Sequence, residues 1–258
     1  MANLIRSAKS GNDWTLNDLD SYHISLNQID PLMFFGMPDL PQPLVDQELL
    51  SNINAGAMQQ DCHAVLITYL DVTMITQKGE TAVDNFVVEL FRVLGYVRRE
   101  RIARTRADLS LLICGENRHT KTDVCIIDRS QNDILLLVQE DKKLELNEPA
   151  NARAQLVAEA VAAFNENNAQ REVAGLHPLV MPGIVMVGTS PAFFKIPVTQ
   201  TLSTHIRHGT YPEEETRVTY CYPPISRPSH RRTEGMKPLD NRRQILRCYE
   251  AFKVIVGI

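Results

Sequence analysis

Apolar runs of strand length alternate with polar turns through the middle of the chain, and helical stripes lie on either side. Residues 119–143, HTKTDVCIIDRSQNDILLLVQEDKK, read as two strands, TDVCIID and DILLLVQ, joined by the turn RSQND. Upstream, residues 79–95 place Val83, Phe86, Val87, Leu90 and Leu94 on one helical stripe, with Gly95 positioned to end it. Between them, ADLSLLIC (107–114) predicts the first sheet strand, and GENRHTK its turn. After the strand pair, Asn147 as N-cap, Pro149 in the first turn and Gly175 beyond the end bracket a helix. Its stripe is Leu156, Val157, Ala160, Val161 and Phe164, rich in alanine as a helix lying close on a sheet would be. GIVMVGT then predicts a core strand bounded by Pro182 and Pro191. AFFKIPVT predicts an edge strand, because Pro197 cannot donate to a ladder, and leaves Lys195 exposed. RVTYCYPP is a further strand, and residues 239–256 close the chain as a helix with Ile245, Tyr249, Phe252 and Val256 on one face.

The flanks carry less pattern. Residues 1–42 read as an irregular arm with a turn of helix near WTLNDLDSYH, its MFFG segment packing on the main body. LVDQELLSNINAGA predicts a short helix up to Gly56. DCHAVLITYLDVTMI is β-branched, yet the spacing of Val65, Leu66, Tyr69, Leu70 and Met74 assigns it to a helix. Residues 225–238 form a loop rich in Pro, Ser and Arg. The fold class is therefore α/β: a central mixed sheet flanked by helices. Residues 1–78 are an N-terminal arm and helical extension packed on the core, and 79–258 the core with its C-terminal helix.

Composition narrows the function classes. With 258 residues, 44% of them hydrophobic, the chain can bury a full core. One tryptophan, Trp14, argues against an aromatic carbohydrate platform. A net charge of −4 means that any polyanion binding must come from a local basic surface. Two are candidates. Arg98, Arg99, Arg101, Arg104 and Arg106 cluster in 96–106, and Arg227, His230, Arg231 and Arg232 in the late loop; each is either a solvated rim or a phosphate-contacting edge. The five scattered cysteines fit buried free thiols in a reducing compartment. His205 and His208 have no matching Cys or His for a zinc site. No run reaches membrane-spanning length and the N-terminus has no apolar signal region, so an intracellular, cytosolic or nuclear protein is expected.

The chemistry lies where DILLLVQ breaks into EDKK. Residues two apart share a strand face, so Glu140 and Lys142 are expected beside Ile134, Leu136 and Val138. A carboxylate and an ammonium at the end of a core strand are costly unless used or paired. A hairpin brings Asp123 next to Glu140, and two converging carboxylates suit a hard cation with oxygen ligands.

Asp123 followed by Glu140-x-Lys142, in the order helix, strand, hairpin, helix, strand, resembles the PD-(D/E)xK nuclease superfamily over residues 79–200. Thr122 stands where the name has Pro. The resemblance implies a restriction-endonuclease-like core and Mg²⁺ or Mn²⁺ held by Asp123 and Glu140, with Lys142 beside the reacting phosphate. It also implies a metal-reaching acid from the preceding helix, with Glu89 the best match and Asp84 second. Gln155, with Asn151 on the neighbouring face, matches a glutamine that several branches turn toward the site. The expected activity is hydrolysis of phosphodiester bonds in nucleic acid, DNA favoured, with dimerisation left open. Two other readings stay open: an inactive protein that keeps this fold as an interaction or regulatory module, and a binding module in which Glu140 and Lys142 merely pair.

Overall fold

The computed structural model describes residues 6–75, 81–140, 150–169 and 179–258. Helices are α1 (Leu16–Ser21), α2 (Pro31–Phe35), α3 (Gln47–Ser51), α4 (Asp61–Thr73), α5 (Thr81–Val93), α6 (Ala150–Ala169), α7 (Gln200–His208), α8 (Arg231–Glu234) and α9 (Leu239–Val256). Strands are β1 (Ile24–Gln28), β2 (Arg101–Ile113), β3 (Glu116–Asp128), β4 (Asp133–Glu140), β5 (Leu179–Val187), β6 (Ser190–Val198) and β7 (Thr216–Cys221). They form one seven-stranded mixed sheet in the order β1-β7-β6-β5-β4-β3-β2, so the α/β class read from the sequence holds. β4 and β5 are parallel and joined through α6, the connection a parallel pair requires.

Several local expectations change. The β2–β3 hairpin turns on Cys114 and Gly115, with φ of 50° and 78°, so GENRHTK is mostly strand and the turn has two residues. β2 starts at Arg101 and is a sheet edge: Arg104 and Arg106 face solvent while Ala107, Leu109, Leu111 and Ile113 alternate inward. Register shifts in β3–β4 between Ile126 and Ile127, which pair with Leu136 and Ile134, leaving Leu135 as the extra residue of a bulge. Ile134 therefore packs with Leu137 on one face, while Leu136 and Val138 lie on the other. Pro182 and Pro191 fall inside β5 and β6 rather than at strand ends. β6 is no edge strand, since it lies between β5 and β7. It meets β7 only over Phe193–Lys195, so Pro197 lies past that ladder. Lys195 is half-buried: its ammonium donates to the Phe34 carbonyl and sits 4.8 Å from the centre of that ring, and burial lowers its pKa. β1, a short and largely polar segment, has no legible pattern of its own and is held by parallel pairing to β7.

Each sheet face carries a core. On one, α6 is buried on nearly every side, with Ala154, Leu156, Val157, Ala158 and Val161 at 0% exposure. The sheet lies beneath it, and the N-terminal arm packs against it through a 3-10 turn (Gly11–Asp13) and α1. Gly11 permits this approach: a Cβ there would stand 2.4 Å from Thr120 Oγ1 and 3.1 Å from the Ala158 methyl. On the other face, α2, α3, α4, α5 and α9 enclose an aromatic cluster that includes Phe193 and Tyr249, ring centres 5.0 Å apart. Arg242 of α9 is buried at 1% exposure. It donates to the carbonyls of Leu49 (3.1 Å), Asn52 (2.7 Å), Met236 (3.1 Å) and Lys237 (3.4 Å), joining α9 to the end of α3. No helix among the described residues is long and apolar enough to cross a membrane.

Candidate active site

The alternation of β3 slips at Asp123. Thr120 and Thr122 pair with Leu109 and Ala107, which face α6, whereas Val124 faces the opposite core. Across the ladder from the slip is Arg106, whose φ of 52° is left-handed. Irregularities of this kind re-aim a side chain out of the regular pleat. Here the Asp123 carboxylate accepts the backbone N–H of Glu140, the last residue of β4, at 2.7 Å. The hairpin thus joins the two residues as the sequence suggests, the Asp123 carboxylate lying against the Glu140 backbone. Glu140 pairs with Met186 and shares the face of Val138, toward α4, α5 and α9. Asp123 acts electrostatically on Glu159 of α6, on the other face.

Gln139, buried between these strand ends, donates to Gln155 Oε1 at 3.3 Å, and Gln155 in turn donates to the Asn12 carbonyl. Gln155 is thus turned toward Gln139 at the end of β4 and toward the N-terminal arm. The arm closes this side: the Asn12 side chain pairs with the Lys121 backbone, accepting its N–H at 2.7 Å and donating to its carbonyl at 3.0 Å. Behind Gln155, one turn along α6, lies Glu159 at 0% exposure. Among the described residues neither of its oxygens has a hydrogen-bond partner, and the Gln139 Oε1 is likewise unpaired. The Thr122 hydroxyl offers its proton to the carbonyls of Val124 and Val138, at 3.1 and 3.3 Å. Burial raises the Glu159 pKa well above the ordinary carboxyl value, the Asp123 charge raises it further, and Thr122 offsets this only in part.

A carboxyl with a raised folded-state pKa contributes stability that is complete below its unfolded pKa. That contribution shrinks as pH climbs through the window up to the folded value. Glu159→Gln is therefore expected to flatten the fall in stability between acidic and neutral pH. It should raise neutral-pH stability by roughly 1–3 kcal/mol, measured by urea unfolding at both pH values.

The remaining candidates divide. Glu89 is held by Arg92 on the surface of α5. The buried acid of that helix is Asp84, and Arg106, across the ladder from Asp123, lies 3.9 Å from it. Asp84, the sequence's second choice, is thus the α5 acid beside the β2–β3 slip. Lys142 lies outside the described residues. Asn151 is exposed on the first turn of α6. Arg98, Arg99 and Arg104 are exposed at or just before the β2 edge, and Arg101 reaches back to the Gly95 carbonyl at 3.3 Å. Arg231 and Arg232 sit far along the chain from this edge, against the first turns of α6, where they line a cleft with Arg153. No protein-family model matches the chain, and a search of curated proteins finds no significant match.

Asp123 and Glu140 are oxygen donors, the set a hard divalent cation takes. Mg²⁺ is commonly held by one or two carboxylates together with substrate phosphates. Among the described residues no group of three or more His, Cys, Asp or Glu side chains is placed to hold a metal ion, so protein ligands would be few. Sequence reasoning missed Gln139, Glu159 and Arg153. Glu159 had a signal: an acid one turn after Gln155, set among Leu156, Val157, Ala160 and Val161 of the apolar stripe.

Proposed function

We propose that the chain is a metal-dependent nuclease hydrolysing phosphodiester bonds of nucleic acid, DNA favoured. The observation that carries this reading is the Asp123 carboxylate held against the end of β4 by the Glu140 N–H. This brings an acid of β3 to the last residue of β4, itself an acid, at the carboxyl end of a parallel pair, the usual place for a ligand in an open α/β sheet. Asp123 and Glu140 would hold Mg²⁺ or Mn²⁺. Bound there, the ion supplies Lewis-acid polarisation of the phosphoryl oxygen and a more acidic water. Asp123 is fixed by its hydrogen bond, so its carboxylate is preorganised and needs little rearrangement on binding. Lys142, two residues beyond Glu140 in the sequence, is assigned to offset charge that grows on the phosphate. Gln155 and Gln139 position the strand end and exclude water on the α6 side.

Calorimetric titration with Mg²⁺ or Mn²⁺ tests the site directly. Wild type is expected to bind, and Glu140→Gln to bind at least about tenfold more weakly. Equal binding by both proteins would remove Glu140 from the site. Incubation with single- and double-stranded DNA and RNA, with and without chelator, then separates an enzyme from an inactive relative of the same fold.

A further inference from the structure

Beyond the acids, at the same end of the sheet, three arginines meet in one cleft. Its lining includes Arg153 of α6, Val187 and Ser190 at the β5–β6 turn, Tyr222, and Arg231 and Arg232 at the start of α8, and it is partly open to solvent. Tyr222 supports two of them, Arg153 and Arg231. Its hydroxyl accepts from Arg153 Nη2 at 2.6 Å, and the Arg231 guanidinium lies over its ring, 3.6 Å from the centre. Arg153 is further fixed by the Tyr220 hydroxyl at 3.2 Å and stacks 4.7 Å above that ring, while its buried Nε has no partner among the described residues.

The charge pattern sets this cleft apart. Among the described residues none of Arg153, Arg231 and Arg232 has a carboxylate within salt-bridge distance. Arg227, a few residues earlier, is by contrast paired with Glu234 at 2.9 Å and Asp240 at 3.8 Å. Three like charges lining one cleft, two of them held on tyrosines, repel one another unless an anion joins them, and planar guanidinium forks match phosphate oxygens. Val187 follows Met186, the residue paired with Glu140, so the cleft lies one strand over from the acids. Both lie at the carboxyl ends of β4 and β5.

We propose that Arg153, Arg231 and Arg232 form a phosphate-binding subsite that takes a backbone phosphate of the nucleic-acid strand leading to Asp123 and Glu140. Arg153 is the fixed member, and Arg231 and Arg232 close over the phosphate from α8. The location relative to the acids rests on the nuclease reading; the anion chemistry does not.

The test is fluorescence anisotropy with a short labelled single-stranded oligodeoxynucleotide, in chelator so that no cleavage occurs, with inorganic phosphate as competitor. Wild type is expected to bind, and phosphate to displace the probe. The double variant Arg231→Ala/Arg232→Ala is expected to weaken binding about tenfold or more and to lower the salt slope by roughly one to two. Arg153→Gln should weaken it similarly, and Tyr222→Phe, which keeps the ring but frees Arg153, by less. Arg118→Ala, an exposed arginine of β3 far along the strand from Asp123, serves as the charge control and should bind as wild type. Near-UV circular dichroism confirms that each variant is folded. Should the double variant bind as tightly as wild type, or wild type bind no oligonucleotide, the subsite is overturned. Cleavage by that same double variant would leave the nuclease reading standing. Arginine-dependent binding by a wild type that cleaves nothing would do the reverse.

Discussion

On the proposed nuclease reading, Asp123→Asn is expected to abolish cleavage while leaving the fold in place. Asparagine keeps a carbonyl oxygen that can accept the Glu140 N–H, now at 2.7 Å from the carboxylate, but it removes the charge a divalent ion requires. The loss in rate should be on the order of a thousandfold or more, because the ion and the preorganised carboxylate both act on the charge that develops at phosphorus. Asp123→Ala should lose the same activity and, in addition, about 1–3 kcal/mol of stability, since the Glu140 N–H is left without its acceptor. The pair therefore separates chemistry from folding: cleavage assays read the first and thermal unfolding the second. Lys142→Ala should keep metal binding and lose cleavage. Wild-type cleavage by Asp123→Asn would remove the mechanism. A second consequence can be read in the same protein. The Asp123 charge is one of the causes that raise the Glu159 pKa, so Asp123→Asn should bring it down, though burial remains the larger cause.

The largest effect on stability is expected at Arg242. Its guanidinium, at 1% exposure, serves four carbonyls from two segments of chain and has no carboxylate within salt-bridge distance among the described residues. Burial lowers its pKa to about 10, which leaves it charged at neutral pH. Arg242→Ala orphans those carbonyls and opens a cavity beside Leu49 and Met236. The expected cost is about 3–5 kcal/mol, or a melting temperature lower by on the order of 10 °C. Arg242→Lys should recover only part of this, because one ammonium cannot reach carbonyls spread around a planar fork. A melting temperature unchanged in Arg242→Ala would show that these carbonyls find other partners.

Segments with a strong period were legible in the sequence. α4, α5, α9 and the β3–β4 pair fall where the spacing placed them, because each buries one continuous stripe or face. The failures share a cause. β1 carries no stripe of its own, and its pairing with β7 is decided by residues almost the whole chain away. The extra residue at Leu135 depends on how two strands meet, so the face assigned to Ile134 was wrong although the strand itself was right. Pro197 suggested an edge, but only the length of the β7 ladder shows why a proline is tolerated in the middle of the sheet. In the site, the proximity of Asp123 and Glu140 was readable from hairpin geometry. That the Asp123 carboxylate takes up the Glu140 N–H was not, since it depends on the break in the β2–β3 ladder opposite Arg106. Arg153 was invisible because its significance comes from Tyr220, Tyr222 and Arg231, distant in sequence.

The parallel pairing of β1 with β7 also sets an order of events during synthesis. Ile24 leaves the ribosome roughly 190 residues before its partner Thr216, a wait of about ten to forty seconds at ordinary translation speeds. Throughout that interval the nascent arm has no strand to join, while the apolar helix it will cover is already being made. The last edge of the sheet can therefore close only after β7 has been made, so β1 is among the last strands to pair although it is the first to be synthesised.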